Sequence, residues 1–170
     1  YDIYACVMDD IFMEDFINER NSIIRGNTRL KKISIDTKLN ETQIIENRYI
    51  ENLDIDFKYN IDFPIQSLVD KNRNYFCIFD SINGKIKGYM YVNLLKFENI
   101  KPKIFLFNED VYGNSEPQVV LINKKEYLIT FTHDLNKNYI SLIDINSNKV
   151  ENLEIPSKIP AGFHSIYFKH

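Results

Sequence analysis

The run EYLITFTHDLNKNYISLIDINSNKVENLEI, residues 126–155, decides the fold class. Apolar side chains alternate with polar ones or run together through 127–133, 139–145 and 150–155, and polar stretches at 134–138 and 146–148 interrupt the pattern. A period of two is that of a strand with one face buried, and Asn and Asp tolerate the tight backbone of a turn. The reading is a meander of antiparallel strands.

The same rhythm extends upstream, with strands expected at 117–122, 103–107, 89–95, 75–80, 57–64, 42–48, 29–35 and 3–8, separated by turn residues. Asn83-Gly84 followed by Ile86 is the strongest hairpin signal, because Gly84 supplies a positive φ at no steric cost. Residues 37–40 read as the turn of a second hairpin. Only MEDFINERNSII (13–24) has apolar residues at helical spacing, through Phe16, Ile17, Ile23 and Ile24, and it reads as a short helical excursion. The fold class is therefore all-β. The strand count fits two to three four-stranded propeller blades or a sandwich, and periodicity alone does not choose between them. No Gly-His…Trp-Asp signature is present, which argues against a WD-type repeat.

At 170 residues and 44% hydrophobic content, the chain has enough apolar material to bury a core. Its net charge of −3 with interspersed lysines and glutamates offers no basic stripe to follow a phosphate backbone, so nucleic acid is not an expected partner. Cys6 and Cys77 stand singly in apolar runs, the setting of buried reduced thiols and not of metal knuckles. No run of about 18 uncharged apolar residues and no basic-then-apolar leader occurs, so neither a membrane span nor a signal peptide is expected. The chain opens at Tyr1 inside a strand-like segment and reads as a piece of something longer.

The three histidines are His133, His164 and His170. His133 precedes Asp134 at a hairpin tip and reads as a solvated turn residue, and His170 is terminal. His164 lies in IPAGFHSIYF with no acid nearby, and alone it reads as a core or strand-edge histidine, since one imidazole does not define a metal site. Glu116, before Pro117, and Asp62, in IDFP, are carboxylates in apolar company, costly unless they find partners; each either caps a turn or serves a site.

Four stretches together resemble the carotenoid cleavage oxygenase family. Residues 126–168 are similar to its closing blade, in which a Tyr-Leu strand ending in His-Asp and a Leu-x-x-x-Asp strand lead to Pro-x-Gly-Phe-His. GNSEPQVV (113–120) resembles its Gly-Glu-Pro-x-Phe-Val segment, IDFPIQS (61–67) its Glu-Phe-Pro-Arg-Ile-Asn segment, and GNTRLKKISID (26–36) the strand before it. The resemblance implies the last blades of a seven-bladed β-propeller with Fe(II) on its axis, held by four histidines of which His164 is one. It also implies that Glu116 and Asp62 accept hydrogen bonds from the second ring nitrogens of iron-bound histidines, fixing tautomer and orientation. Neutral imidazoles suit Fe(II) and leave positions open for dioxygen.

The expected activity, for the full-length parent, is oxidative cleavage of a conjugated double bond in a carotenoid or apocarotenoid. A retinoid isomerohydrolase on the same fold is the alternative chemistry, and a non-catalytic propeller that binds another protein is the alternative class. The other three ligands belong to segments outside this chain, so the fragment alone is not expected to be active. A cytoplasmic location is expected, with peripheral membrane contact through segments outside this chain. Three departures are visible: Asp62 stands where the family has glutamate, one methylene longer; Ser165 replaces the glycine after the ligand; and Val119-Val120-Leu121 replaces Phe-Val-Pro.

Overall fold

The computed structural model describes residues 1–8, 28–37, 43–49, 59–80, 84–95 and 102–156. Among them are twelve β-strands and no α-helix. These are β1 (Asp2–Met8), β2 (Thr28–Asp36), β3 (Gln43–Tyr49), β4 (Tyr59–Gln66), β5 (Arg73–Asp80), β6 (Ile86–Asn93), β7 (Lys103–Leu106), β8 (Tyr112–Gly113), β9 (Gln118–Ile122), β10 (Lys125–His133), β11 (Asn138–Asp144) and β12 (Lys149–Ile155). Every pairing is antiparallel, as the sequence predicts. The helical excursion expected at 13–24 lies outside the described residues, as does Asn83. Gly84 has the expected positive φ of 65°.

The strands form a three-stranded sheet, β1-β2-β3, and a nine-stranded sheet. Within the larger sheet, β4-β5-β6-β7 and β9-β10-β11-β12 are two four-stranded meanders. Among the described strands, β8 alone is ladder-paired to both, Gly113 with Ile86 on one side and with Thr132 on the other. A side chain has no room there, since a Cβ on Gly113 would lie 2.9 Å from Ile86 Cγ2 and 3.0 Å from the Tyr89 hydroxyl.

Side-chain patterning explains how the layers stack. Tyr75, Phe76, Cys77 and Ile78 are buried in succession on β5, which requires cover on both faces of that strand. Phe76 and Ile78 pack with Ile61, Met90 and Val92 against Leu30 of β2, so the three-stranded sheet covers one face. Tyr75, Cys77, Tyr89 and Phe105 pack with Leu128, Ile143 and Ile145, so the β9–β12 meander covers the other. β10 alternates instead, with Glu126, Leu128, Thr130 and Thr132 buried and the intervening residues half-buried. Its outer face, with Ile129, Ile140, Leu142 and Leu153, lines a shallow open trough of about 410 Å³.

Two turns carry the β9–β12 register. Asn123 and Lys124 have φ of 52° and 64°, the primed two-residue turn whose twist matches a hairpin. Between β11 and β12, Asp144 accepts hydrogen bonds from the Asn146 amide at 3.0 Å, Lys125 Nζ at 2.5 Å and Ser147 Oγ at 2.5 Å. Burial opposes its ionisation, but these donors win and hold its carboxyl at about 2. The folded-state value is below the unfolded one, so the stabilisation is complete above the unfolded value and is lost as pH falls through the folded one.

Two outcomes are expected. Acid titration of unfolding free energy should show Asp144 contributing about 2 kcal/mol above pH ~4 that disappears as pH falls toward ~2, and Asp144→Asn should flatten that part of the curve. Gly88→Ala should lose about 1–3 kcal/mol in denaturant titration, because its Cβ would lie 2.0 Å from the Phe105 carbonyl oxygen and force β7 away from β6.

Candidate functional site

Asp62 lies on β4 directly opposite Cys77 of β5, and the register slips between Asp62 and Ile65. A bulge there re-aims the side chains beside it. Its cause is Phe63, which has φ of 55°, a left-handed conformation that costs a bulky residue on the order of 1–3 kcal/mol. The kink lets Asp62 Oδ1 accept a hydrogen bond from the Phe63 amide at 2.7 Å. The Phe63 ring meets Phe79 at 5.7 Å, so packing holds the strained residue in place.

Glu116 sits in the link between β8 and β9, between buried Ser115 and buried Pro117. That link is fixed by backbone and hydroxyl bonds: the Asn114 amide donates to the Phe131 carbonyl at 2.8 Å, and Thr130 Oγ1 donates to the Ser115 carbonyl at 3.1 Å. The Tyr89 hydroxyl donates to the same Thr130 oxygen at 3.1 Å, tying the link to the central meander.

Both carboxylates act electrostatically on the same buried thiol. Burial raises the Cys77 thiol well above its ordinary value, and Glu116, Asp62 and Cys6 add to the shift electrostatically. Cys6 of β1 is pushed up to about 12, by burial first and by Asp62 second. Groups from β1, β4, β5 and the β8–β9 link thus share one electrostatic neighbourhood. Both cysteines are free, as expected.

The chain matches no family model, no curated protein and no solved structure. Among the described residues, no group of three or more His, Cys, Asp or Glu could hold a metal ion, and no helix is long and apolar enough to cross a membrane. His164 and His170 lie outside the described residues. Asp62 and Glu116 are therefore not a ligand set by themselves. Their chemistry fits the part of acceptors beside metal-bound imidazoles, each with lone pairs for a ring N–H.

His133 corrects an expectation. It closes β10 opposite Asn138, half-buried, with its ring 5.7 Å from that of Tyr112, and is not a solvated turn residue. Burial lowers its pKa, Lys85 lowers it further, and its Nδ1 is buried without a hydrogen-bond partner. Asp134 caps the turn, accepting from the Asn136 and Lys137 amides at 2.8 Å each.

Glu126 carries a cluster that the sequence reading passed over. Its carboxylate, 6% exposed, accepts hydrogen bonds from Ser67 Oγ, the Leu68 and Val69 amides and the Tyr75 hydroxyl, with Arg73 Nη1 at 3.8 Å. The available signal was parity: on β10, residue 126 shares the inward face with Leu128, Thr130 and Thr132. Burial and then the Glu126 carboxylate raise the Tyr75 hydroxyl above its ordinary range.

With thiolate formation suppressed at both positions, Cys6 and Cys77 should resist iodoacetamide in the folded protein near pH 8 and react in denaturant, read by intact mass. Fast native labelling of Cys77 would contradict the described burial.

Proposed function

We propose that the chain is the closing portion of a carotenoid cleavage oxygenase, with His164 one of the imidazoles that hold Fe(II) and with Asp62 and Glu116 orienting such imidazoles. The observation that carries this reading is that Asp62 of the β4–β7 meander and Glu116 of the β8–β9 link both act electrostatically on the Cys77 thiol. These are the two positions the family resemblance marks as carboxylates, far apart in sequence. Stacked antiparallel meanders with an apolar outer face left open fit consecutive propeller blades, in which each blade covers the next.

Each residue has a defined task in this reading. Asp62 and Glu116 accept the second ring N–H of an imidazole, which fixes the tautomer and leaves the other nitrogen free to bind metal. When bound, Fe(II) supplies the activation of dioxygen for cleavage of a conjugated double bond in a carotenoid or apocarotenoid.

In the full-length parent, His164→Ala should abolish iron retention, and Glu116→Gln should weaken metal affinity or activity by roughly 10–100-fold. Metal analysis of the purified variants checks both, and wild-type iron content in His164→Ala removes the ligand assignment in favour of a protein-binding propeller. Products formed under labelled dioxygen should carry the label. Unlabelled products would instead indicate isomerohydrolase chemistry on a retinoid.

A further inference from the structure

β8 is two residues long, and both of its residues pair with β10, Gly113 with Thr132 and Tyr112 with His133. The Asn114 amide extends that contact by donating to the Phe131 carbonyl at 2.8 Å. Gly113 also pairs with Ile86, so the corner of His133 and Tyr112 closes the one described strand laddered to both meanders. Few contacts hold a strand this short, and the state of His133 therefore bears on the whole bridge.

That corner suits a neutral imidazole. Nδ1 of His133 is buried with no hydrogen-bond partner among the described residues. As a lone pair it is tolerated, but as an N–H carrying part of a positive charge it would need an acceptor. The Tyr112 ring, 5.7 Å from the imidazole, already faces two ammonium groups, Lys85 Nζ at 4.2 Å and Lys87 Nζ at 4.3 Å from its centroid. Asp134 favours protonation, yet its Oδ1 accepts from the Asn136 and Lys137 amides and its Oδ2 from the Tyr139 hydroxyl at 2.9 Å. Asn138, opposite on β11, carries no charge, and Lys137 is paired with Glu154 at 2.7 Å. Glu109 and Asp110 are exposed on the link before β8, where Lys87 Nζ donates to the Glu109 carbonyl at 2.8 Å.

We propose that His133 is an acid-sensitive latch, in which proton uptake expels its ring from Tyr112, releases β8 from β10 and frees the link that carries Glu116. Burial first and Lys85 second lower the imidazole value in the closed state, and together they outweigh Asp134. The open state therefore binds the extra proton. The closed bridge is fully present above the ordinary value of 6.5 and is lost as pH falls below it through the closed-state value. The apolar packing of Tyr75 and Leu128 does not titrate, so the opening is confined to this corner while the meanders stay together. The inference is independent of the iron site.

The test is hydrogen exchange of the Asn114 amide by nuclear magnetic resonance, corrected for intrinsic exchange, from about pH 7 to about pH 4.5, with the His133 ring followed in the same samples. Protection should fall by up to about tenfold per pH unit as His133 titrates. His133→Phe keeps a ring against Tyr112 and cannot titrate, so its protection should stay constant. Lys85→Gln with Lys87→Gln should move the His133 titration up toward its ordinary value and shrink the loss; should His133→Phe lose its native circular dichroism, this pair decides. The Asp144 carboxyl, held at about 2, titrates outside the window. Unchanged Asn114 protection while His133 titrates overturns the proposal, as does a His133 titration that the lysine changes leave unmoved. A loss that persists in His133→Phe assigns the effect to another group and overturns it too. So does equal loss throughout β10 and β11, which is global unfolding.

Discussion

Glu126 enters the interior as a carboxylate, and a buried charge is tolerated only where donors replace the water it has lost. Here the donors come from the central meander: the Ser67 hydroxyl, the Leu68 and Val69 amides and the Tyr75 hydroxyl. β10 therefore docks in one position against the β4–β5 loop, and a slip would strand a charge and several donors at once. The hydrogen-bonded bridge through β8 is only two residues long, so this contact and the apolar packing around Tyr75 and Leu128 set how the two meanders meet. The relative placement of Asp62 on one meander and Glu116 beside the other follows from that arrangement.

Strain is concentrated in the same region. Phe63 holds a backbone conformation that glycine would adopt freely, and its ring packs on Phe79. Such a residue persists where its surroundings over-determine it, and here the outcome is the turning of the adjacent Asp62. The apolar packing of the central layer on both its faces supplies the stability that lets the kink survive.

Most of the strands are legible in the sequence because their burial is periodic. The segment 127–133 becomes β10, whose covered face carries Leu128, Thr130 and Thr132 while Tyr127, Ile129 and Phe131 stay half-buried on the other, and the unbroken run YFCIF becomes β5 with two covered faces. β8 escaped because two residues carry no period, although it bridges the meanders. The left-handed Phe63 left no local sign, since Asp-Phe-Pro is ordinary extended sequence. The pairing of Asp62 with Glu116 came from the resemblance and not from spacing; fifty-odd residues of intervening strand hide it from any local reading. His133 was misread because its neighbours suggest a tip, while the contact that buries it is made by Tyr112 of β8.

The central claim is that Asp62, Glu116 and His164 serve one metal centre. Anomalous diffraction at the iron edge from crystals of the full-length protein tests it most directly. The account predicts a single peak with the His164 imidazole on it and the carboxylates of Asp62 and Glu116 facing the outer nitrogens of the liganding rings. A His164 side chain in bulk solvent, with no iron peak near the two carboxylates, would contradict it.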